Sequence, residues 1–475
     1  MGKRILGVLL LLIPATIFAQ DKWDLRRCVD YAIKNNISVK QADVQARLSA
    51  LQLQQAKMNK LPTASLGTGM GLQFGRSIDP TTNQFTTTQL LYQNYQLQGG
   101  ATIYSFGRLK NGQDAASFNA QAALEDVERT KNDISLNVAS YYLQVLSTKE
   151  QINISEVQLS QTRTQYENTR KRVDAGALPE LNLAEIEAQL ATDSSNLITA
   201  QTAFQQNLLQ LKALLNIDMA APFEVDTPPI DLIPLEPLAE LEPELVFSMA
   251  VTSQPQQKAN DLRIKGAEKT IKVNKAALNP SLSGFYSLGS TFNNQAISPN
   301  GSITVNPPIG KVNVDGTDYS VYPNQPYSVN TYGKTKYFKQ IDQNFSQSVG
   351  INISVPIFSN GNARIAVENA KLNLENLQLQ KAQADQTLKT NIYTAYTNAI
   401  SSMEKYNASG RSVQSAQKAF DFATKRYEVG LLSSIDLITN QNNLLRAKLQ
   451  QLANHYDYVF KMKVVEFYKG QGIKL

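Results

Sequence analysis

Two stretches far apart in the chain end one helix and begin another in the same way. The first carries Lys171-Arg172, then Gly176, Pro179 and a new apolar-periodic run, and the second carries Lys425-Arg426, then Gly430, Ser433-Ser434 and another such run. Positive charge in a last turn followed by Gly is a helix stop, and Pro or Ser just beyond it suits the next helix start. Each stretch therefore predicts the tip of a helical hairpin. Gly430 follows Gly176 by 254 residues, and the same spacing relates Tyr396 to Tyr142, Asn391 to Asn137, and Phe358-Ser359 to Tyr104-Ser105. Upstream the spacing is 218, relating Pro280 to Pro62, Ala250 to Ala32 and Lys258 to Lys40. The chain is one unit written twice, with 36 extra residues between Pro280 and Ile357 of the second copy. So long a period marks a duplicated domain and not a solenoid.

The first 19 residues read as a signal peptide, with basic Lys3-Arg4, an apolar run from Ile5 to Ile13, and a small-residue exit at Ala19. The apolar run is too short to serve as a membrane anchor. Cys28 lies too far beyond it to be a lipidation cysteine, so a buried structural thiol is expected and no N-terminal lipid. The formal charge is +6, or +4 once Lys3 and Arg4 are gone, and the charges are interleaved, which argues against nucleic acid as a partner. A single cysteine leaves no internal disulfide, so packing or assembly must supply stability.

Residues 20–221 form the first repeat. A helix over about 24–60 is expected, bent at Asn35-Asn36 and stopped at Leu61-Pro62. The period then becomes two. Ala64, Leu66, Met70, Leu72 and Phe74 alternate with Ser65, Gly67, Gly69, Gly71 and Gln73, which predicts a strand near 63–74. A partner near 94–104 sets Tyr95, Leu97, Ala101 and Ile103 against Asn94, Gln96, Gln98 and Thr102. The second repeat, 244–475, matches with strands near 281–290 and 343–357, the latter opposing Val349, Ile351 and Ile353 to Ser348, Gly350 and Asn352. One apolar face and one small-polar face suit transmembrane barrel strands, and also a soluble sheet with one wet face. Gly and Ser, where a soluble sheet shows Lys, Glu and Thr, favour the membrane. Four strands cannot enclose a lumen, about eight being the practical minimum, so copies must pool them.

Between strands and tips run long Pro-free stretches. A 4-3 seam passes from Ile134 through Val138, Tyr141, Val145, Ile152, Thr162 and Thr169 to Val173, and its copy from Leu388 through Ile392 and Ala399 to Tyr427, which predicts coiled coils. Six prolines in 222–243 predict an extended linker outside the helical layer. The 36 extra residues, around Asn293 to Tyr337, predict an enlarged loop with some added strand. Catalytic chemistry finds no purchase. His455 has no second ligand at metal spacing. Gly333-Lys334-Thr335 imitates the end of a phosphate loop without its first Gly or its helix. No enzyme and no cofactor are expected.

The duplicated strand–hairpin–strand plan, with Tyr427-Glu428-Val429-Gly430 and Asp436-Leu437 at the second tip, resembles the outer membrane efflux protein family of TolC-like exit ducts. The resemblance covers the mature chain. It implies an α+β membrane protein in which a homotrimer closes a 12-stranded barrel in outer membrane lipid, continued by a periplasmic α-helical coiled-coil barrel. The implied location is the outer membrane of a Gram-negative bacterium. The implied partners are a periplasmic membrane-fusion adaptor and an inner-membrane pump, in a tripartite efflux or type I secretion system that the duct serves passively. A secreted coiled-coil structural or adhesive protein with soluble β segments is the alternative. By the resemblance, Gly176, Leu178, Gly430 and Leu431 belong to the adaptor-docking tips, and Tyr427 and Asp436 to a periplasmic gate. Leu432 stands where the best-known relative has a gate-locking arginine, Thr439 where it has a second ring acid, and Asn182 where it has the tyrosine's acidic partner.

Overall fold

The computed structural model describes residues 22–78 and 84–470. The expected signal peptide and the turn at Asp79–Asn83 lie outside the described residues. Helices α1 (Leu25–Asn35) and α2 (Ile37–Met58) lead to strands β1 (Thr63–Ile78) and β2 (Phe85–Tyr104), followed by α3 (Arg108–Asp174) and α4 (Glu180–Leu215). The second copy runs α5 (Pro243–Ser253), α6 (Pro255–Ala276), β3 (Ser281–Asn293), β4 (Ile297–Val305), β5 (Gly310–Val314), β6 (Thr317–Val321), β7 (Tyr327–Lys334), α7 (Tyr337–Gln343), β8 (Ser346–Ser354), α8 (Asn362–Glu428) and α9 (Ser434–Lys469). The duplication is exact in helix length: α1 and α5 have 11 residues, α2 and α6 have 22, α3 and α8 have 67, and α4 and α9 have 36. At 1.5 Å per residue each of the longest helices spans roughly 100 Å.

The chain forms two compact units. One takes in the described residues of Met1–Gln52, with Ala116–Ala267 and Leu372–Leu475, and the other Leu53–Ala115 and Glu268–Lys371.

The first unit holds two apolar cores that are copies of each other. One gathers Cys28, Ala32, Ile134, Val138, Val145 and Leu211, and the other Val246, Ala250, Leu388, Ile392, Ala399 and Val465. Each residue of the first set lies 218 or 254 positions before its counterpart in the second, so both repeats solve the same packing problem with the same helix faces. The apolar seam read from the sequence supplies Ile134, Val138 and Val145 to the first core and Leu388, Ile392 and Ala399 to the second, because residues repeating at 3.5 intervals stay on one side of a helix. Cys28 takes the place of Val246 and is fully buried, and burial pushes its thiol up to about 12. At that value it is an inert apolar filler.

Asn36 explains the break between α1 and α2. Its ψ of 135 leaves the helix, its Nδ2 donates to Leu214 O at 2.8 Å, and its Oδ1 accepts from Ser38 N–H at 2.8 Å. The Pro-rich segment is extended, as its composition dictates, but it is not a free spacer. Trp23 and Val225 form a parallel bridge, and Phe223, Val225, Ile233 and Leu241 are buried. Lys463 Nζ donates to Pro234 O at 2.6 Å and to Glu466 Oε2 at 2.8 Å, while Glu466 Oε1 accepts from Glu236 N–H at 2.9 Å.

The second unit is built on a four-stranded antiparallel sheet in the order β1-β2-β3-β8, so the two repeats join at β2 and β3. The first hairpin is longer than the alternation alone indicates, because pairing continues to Ile78 opposite Phe85. Strand β8 is shorter than the expected 343–357: α7 ends at Gln343, and Pro356 brings a residue with no N–H to donate. The extra residues of the second repeat form two separate hairpins, β4–β7 and β5–β6, and α7. Helix α7 is tied to the sheet by Gln340, whose Nε2 donates to Asn293 O at 2.9 Å and whose Oε1 accepts from Asn293 N–H at 3.0 Å.

Candidate membrane face and hairpin tips

The register of the sheet decides which side chains share a face. Leu66 pairs with Leu97, Leu97 with Leu288, and Leu282 with Ile353, while Gly284 pairs with Ile351 and Tyr286 with Val349. One face therefore collects Leu66, Met70, Leu72, Phe74, Leu97, Val349, Ile351 and Ile353. Gly67 opposite Gln96, Gln98 opposite Ser287, and Ser287 opposite Ser348 show the other face to be small and polar. The apolar face is uncovered: Leu66 is 77 % exposed, Met70 69 % and Val349 86 %. A soluble sheet buries such a face against a second layer, and a patch this rich in Leu, Met, Phe, Val and Ile on the surface marks a place where something other than water is the solvent. Strands β1 and β8 end the sheet, and each leaves one edge of backbone N–H and C=O groups without a strand partner in this sheet.

At the tips, sequence becomes geometry through two matched helix stops. Gly176 N–H donates to Val173 O and Ala177 N–H to Arg172 O, both at 2.8 Å; Gly430 N–H donates to Tyr427 O at 3.0 Å and Leu431 N–H to Arg426 O at 2.8 Å. This double bond pattern is the Schellman stop, which needs a left-handed residue. Gly176 supplies φ +69 and Gly430 φ +78. The following helices begin one after Pro179 and one after Ser433. The Ser433 Oγ accepts from Asp436 N–H at 3.2 Å and donates to Asp436 Oδ2 at 2.6 Å. Ser433 is thus the N-cap of α9, its hydroxyl held by the backbone and the carboxylate of the same residue, Asp436.

The residues singled out at the tips fall into two groups. Tyr427 is buried, and Leu432, half-buried, packs with it, Phe420, Ala423 and Leu437 in a small apolar knot. The Tyr427 hydroxyl lies 3.1 Å from Thr169 Oγ1, and the Arg172 guanidinium stands 5.8 Å from the Tyr427 ring centroid. Asp436 and Thr439 are exposed, Thr439 Oγ1 donating to Ile435 O at 2.7 Å, and Leu431 is 69 % exposed. Leu178 and Asn182 are half-buried, and Asn182 donates its backbone N–H to Pro179 O at 3.1 Å. The hydroxyl that meets Tyr427 belongs to Thr169 on α3.

Deeper in the hairpins lies a buried polar group that the sequence pattern did not announce. The Asp193 carboxylate on α4 accepts from Thr162 Oγ1 at 2.7 Å and Gln189 Nε2 at 2.8 Å, and Gln441 Nε2 on α9 donates to Thr162 Oγ1 at 2.9 Å. Ser434 Oγ also donates to the Glu185 carboxylate. Thr169–Tyr427, Thr162–Gln441 and Glu185–Ser434 each bind the first hairpin to the second. Of these residues the sequence marks Thr162, Thr169 and Tyr427 as seam positions and Ser434 as a helix start; nothing in one helix's spacing tells which neighbour its polar residues meet.

A sheet with an uncovered apolar face, in one chain with two helices of about 100 Å and their shorter partners, defines the class of β-membrane proteins with long helical extensions. The profile of the Outer membrane efflux protein family matches residues 28–216 and 246–461, one stretch in each repeat, and the chain belongs to that family. It is an outer membrane channel protein for efflux or type I secretion. Among relatives, it is 21 % identical over 387 residues to the pyoverdine export outer membrane protein OpmQ of Pseudomonas putida, covering 79 % of this chain and 69 % of that one. It is 23 % identical over 353 residues to the outer membrane protein TolC of Escherichia coli, covering 71 % of this chain and 62 % of that one. Less than two thirds of the E. coli protein's length is therefore spanned. A crystal structure of CusC superposes with a TM-score of 0.75 at 16 % identity, covering 94 % of this chain and 92 % of that chain. At that identity the likeness speaks for the fold.

Proposed function

We propose that three copies of this chain pool their sheets into a twelve-stranded barrel in outer membrane lipid, and that the helical hairpins form a periplasmic conduit docking through its tips with a membrane-fusion adaptor and an inner-membrane pump. The conduit is passive. The observation that supports this reading best is the sheet itself, with an apolar face open to its surroundings and two free edges. In hydrocarbon an unpaired backbone N–H or C=O costs several kcal/mol, so a membrane sheet must close on itself. Four strands cannot do so around a lumen, and identical edges on a second and third copy are the partners at hand. The small-polar face then lines water.

The test is a pair of substitutions one residue apart. Val349→Asp places a charge on the apolar face, where it costs on the order of 2 kcal/mol against lipid. It is expected to abolish the heat-modifiable oligomer in outer membrane fractions. Ser348→Asp, on the opposite face, is expected to leave that oligomer at its normal level. Equal behaviour of the two variants would remove the barrel reading.

A further inference from the structure

The two repeats provide an internal comparison, and it fails conspicuously at one place. On α2 of the first repeat, Val39 is 5 % exposed within the apolar core. Its counterpart 218 residues on is Gln257 of α6, which is 2 % exposed and whose Oε1 meets no hydrogen-bond donor. One turn further, Ala42 is matched by Asn260, whose buried Nδ2 also lacks a partner while its Oδ1 accepts from Gln256 Nε2 at 3.2 Å. Asp385 on α8 adds a third such atom, Oδ1. A buried polar atom left unpaired costs about 1–3 kcal/mol, and the first repeat shows that this junction packs well with an apolar side chain. The polar residues are therefore not a demand of the architecture.

Gln257 lines a cavity of about 430 Å³ bounded by α3, α6, α8 and the end of α9. This volume is that of a small-molecule site. Its wall is unusual for its amides: Gln254 and Gln383 flank Gln257, and Gln254 Nε2 reaches the carbonyls of Phe467 and Tyr468 at 3.5 Å. The formal charges on the wall, Arg129 and Asp133, oppose each other, and the Tyr468 side chain contributes a flat apolar surface. An amide side chain offers a donor and an acceptor side by side, which complements another amide or a pair of neighbouring hydroxyls. An aromatic ring suits the apolar C–H face of a pyranose.

We propose that this cavity is a binding site for a neutral acetamido sugar, held by the amides of Gln257 and Gln383 and by contact with Tyr468. Titration calorimetry of the full-length protein in detergent with N,N′-diacetylchitobiose tests it. Saturable binding is expected, weakened at least tenfold by Gln257→Val or by Gln383→Ala. The first variant installs the residue that the first repeat uses and is expected to hold or raise Tm; the second removes an exposed side chain, so packing is left alone. No saturable binding to the wild-type protein, or binding that neither variant changes, overturns the proposal. So does tighter binding of the dipeptide alanylalanine, which would make this a peptide site.

Discussion

His455 shows how a residue with no chemistry to perform still carries a pH signature. It lies on α9, stacked on Tyr406 with centroids 4.3 Å apart, and its Nε2 stands 3.6 Å from Asp231 Oδ1. Burial lowers its pKa below the usual 6.5, and the attraction of Asp231 opposes this more weakly. The folded state thus prefers the neutral ring, whereas the unfolded chain protonates at the ordinary value. As pH falls through 6.5 the unfolded chain takes up the proton first, so this group's contribution is present at neutral pH and is lost toward acid. Tm measured at pH 7 and pH 5 should fall less in His455→Gln than in the wild-type protein; equal falls would show that the stacked ring titrates as if in water. The sequence placed His455 mid-helix and away from any metal set, but its stacking partner comes from α8, which no spacing within α9 reveals.

Among the elements, the hairpin tips are where local sequence has the firmest grip. Lys-Arg, then Gly, then a cap residue is a self-contained instruction, because a helix stop is decided by the few residues around it. The 4-3 seams are legible for the same reason, and one stretch of each lies in a duplicated core. Features that depend on distant partners were not legible. The Pro-rich strap follows its composition in being extended, but its docking through Val225 and Leu241 depends on surfaces that only the folded helices create. The long first hairpin and the truncated β8 are settled by register and by Pro356. In the candidate gate, Tyr427 is marked by the resemblance to the family, while its partner Thr169 reads as one more small seam residue. The tip glycines allow a direct test. A Cβ at Gly430 meets no atom within 4 Å, so a substitution there is strained through φ alone, at a cost of about 1–2 kcal/mol. Gly430→Val should re-aim α8 and α9 at the tip and abolish export, with trimer yield in the outer membrane near normal; loss of the trimer instead would assign the glycine to folding.

At the scale of the whole molecule, the proposed conduit closes where copies of the tips meet one another. Within one protomer the two hairpins are already joined by Thr169–Tyr427, Thr162–Gln441 and Glu185–Ser434, polar contacts that a relative movement of the hairpins has to break. Leu432 sits in the apolar knot with Tyr427, where the resemblance to the family's best-known member implies an arginine lock, and the cation beside Tyr427 here is the Arg172 guanidinium of α3. Asp436 has two roles available. Locally its carboxylate and N–H exchange hydrogen bonds with Ser433, which caps α9. In the proposed trimer the same carboxylate, exposed at the start of that helix, would form a ring of three, and three acids around a narrow aqueous throat attract cations and repel one another. Two substitutions separate the roles. Asp436→Asn removes the charge but keeps a side-chain oxygen for Ser433, so it should reduce cation selectivity and divalent-cation block in single-channel recordings while Tm stays unchanged. Ser433→Ala removes the cap and keeps the charge, so it should lower helix stability by about 1 kcal/mol, the usual worth of a cap, and leave selectivity intact. A ring of charge requires that pattern. If Asp436→Asn leaves conductance, selectivity and block as they are, the carboxylate serves as a cap alone, and closure of the conduit rests on the Tyr427 knot.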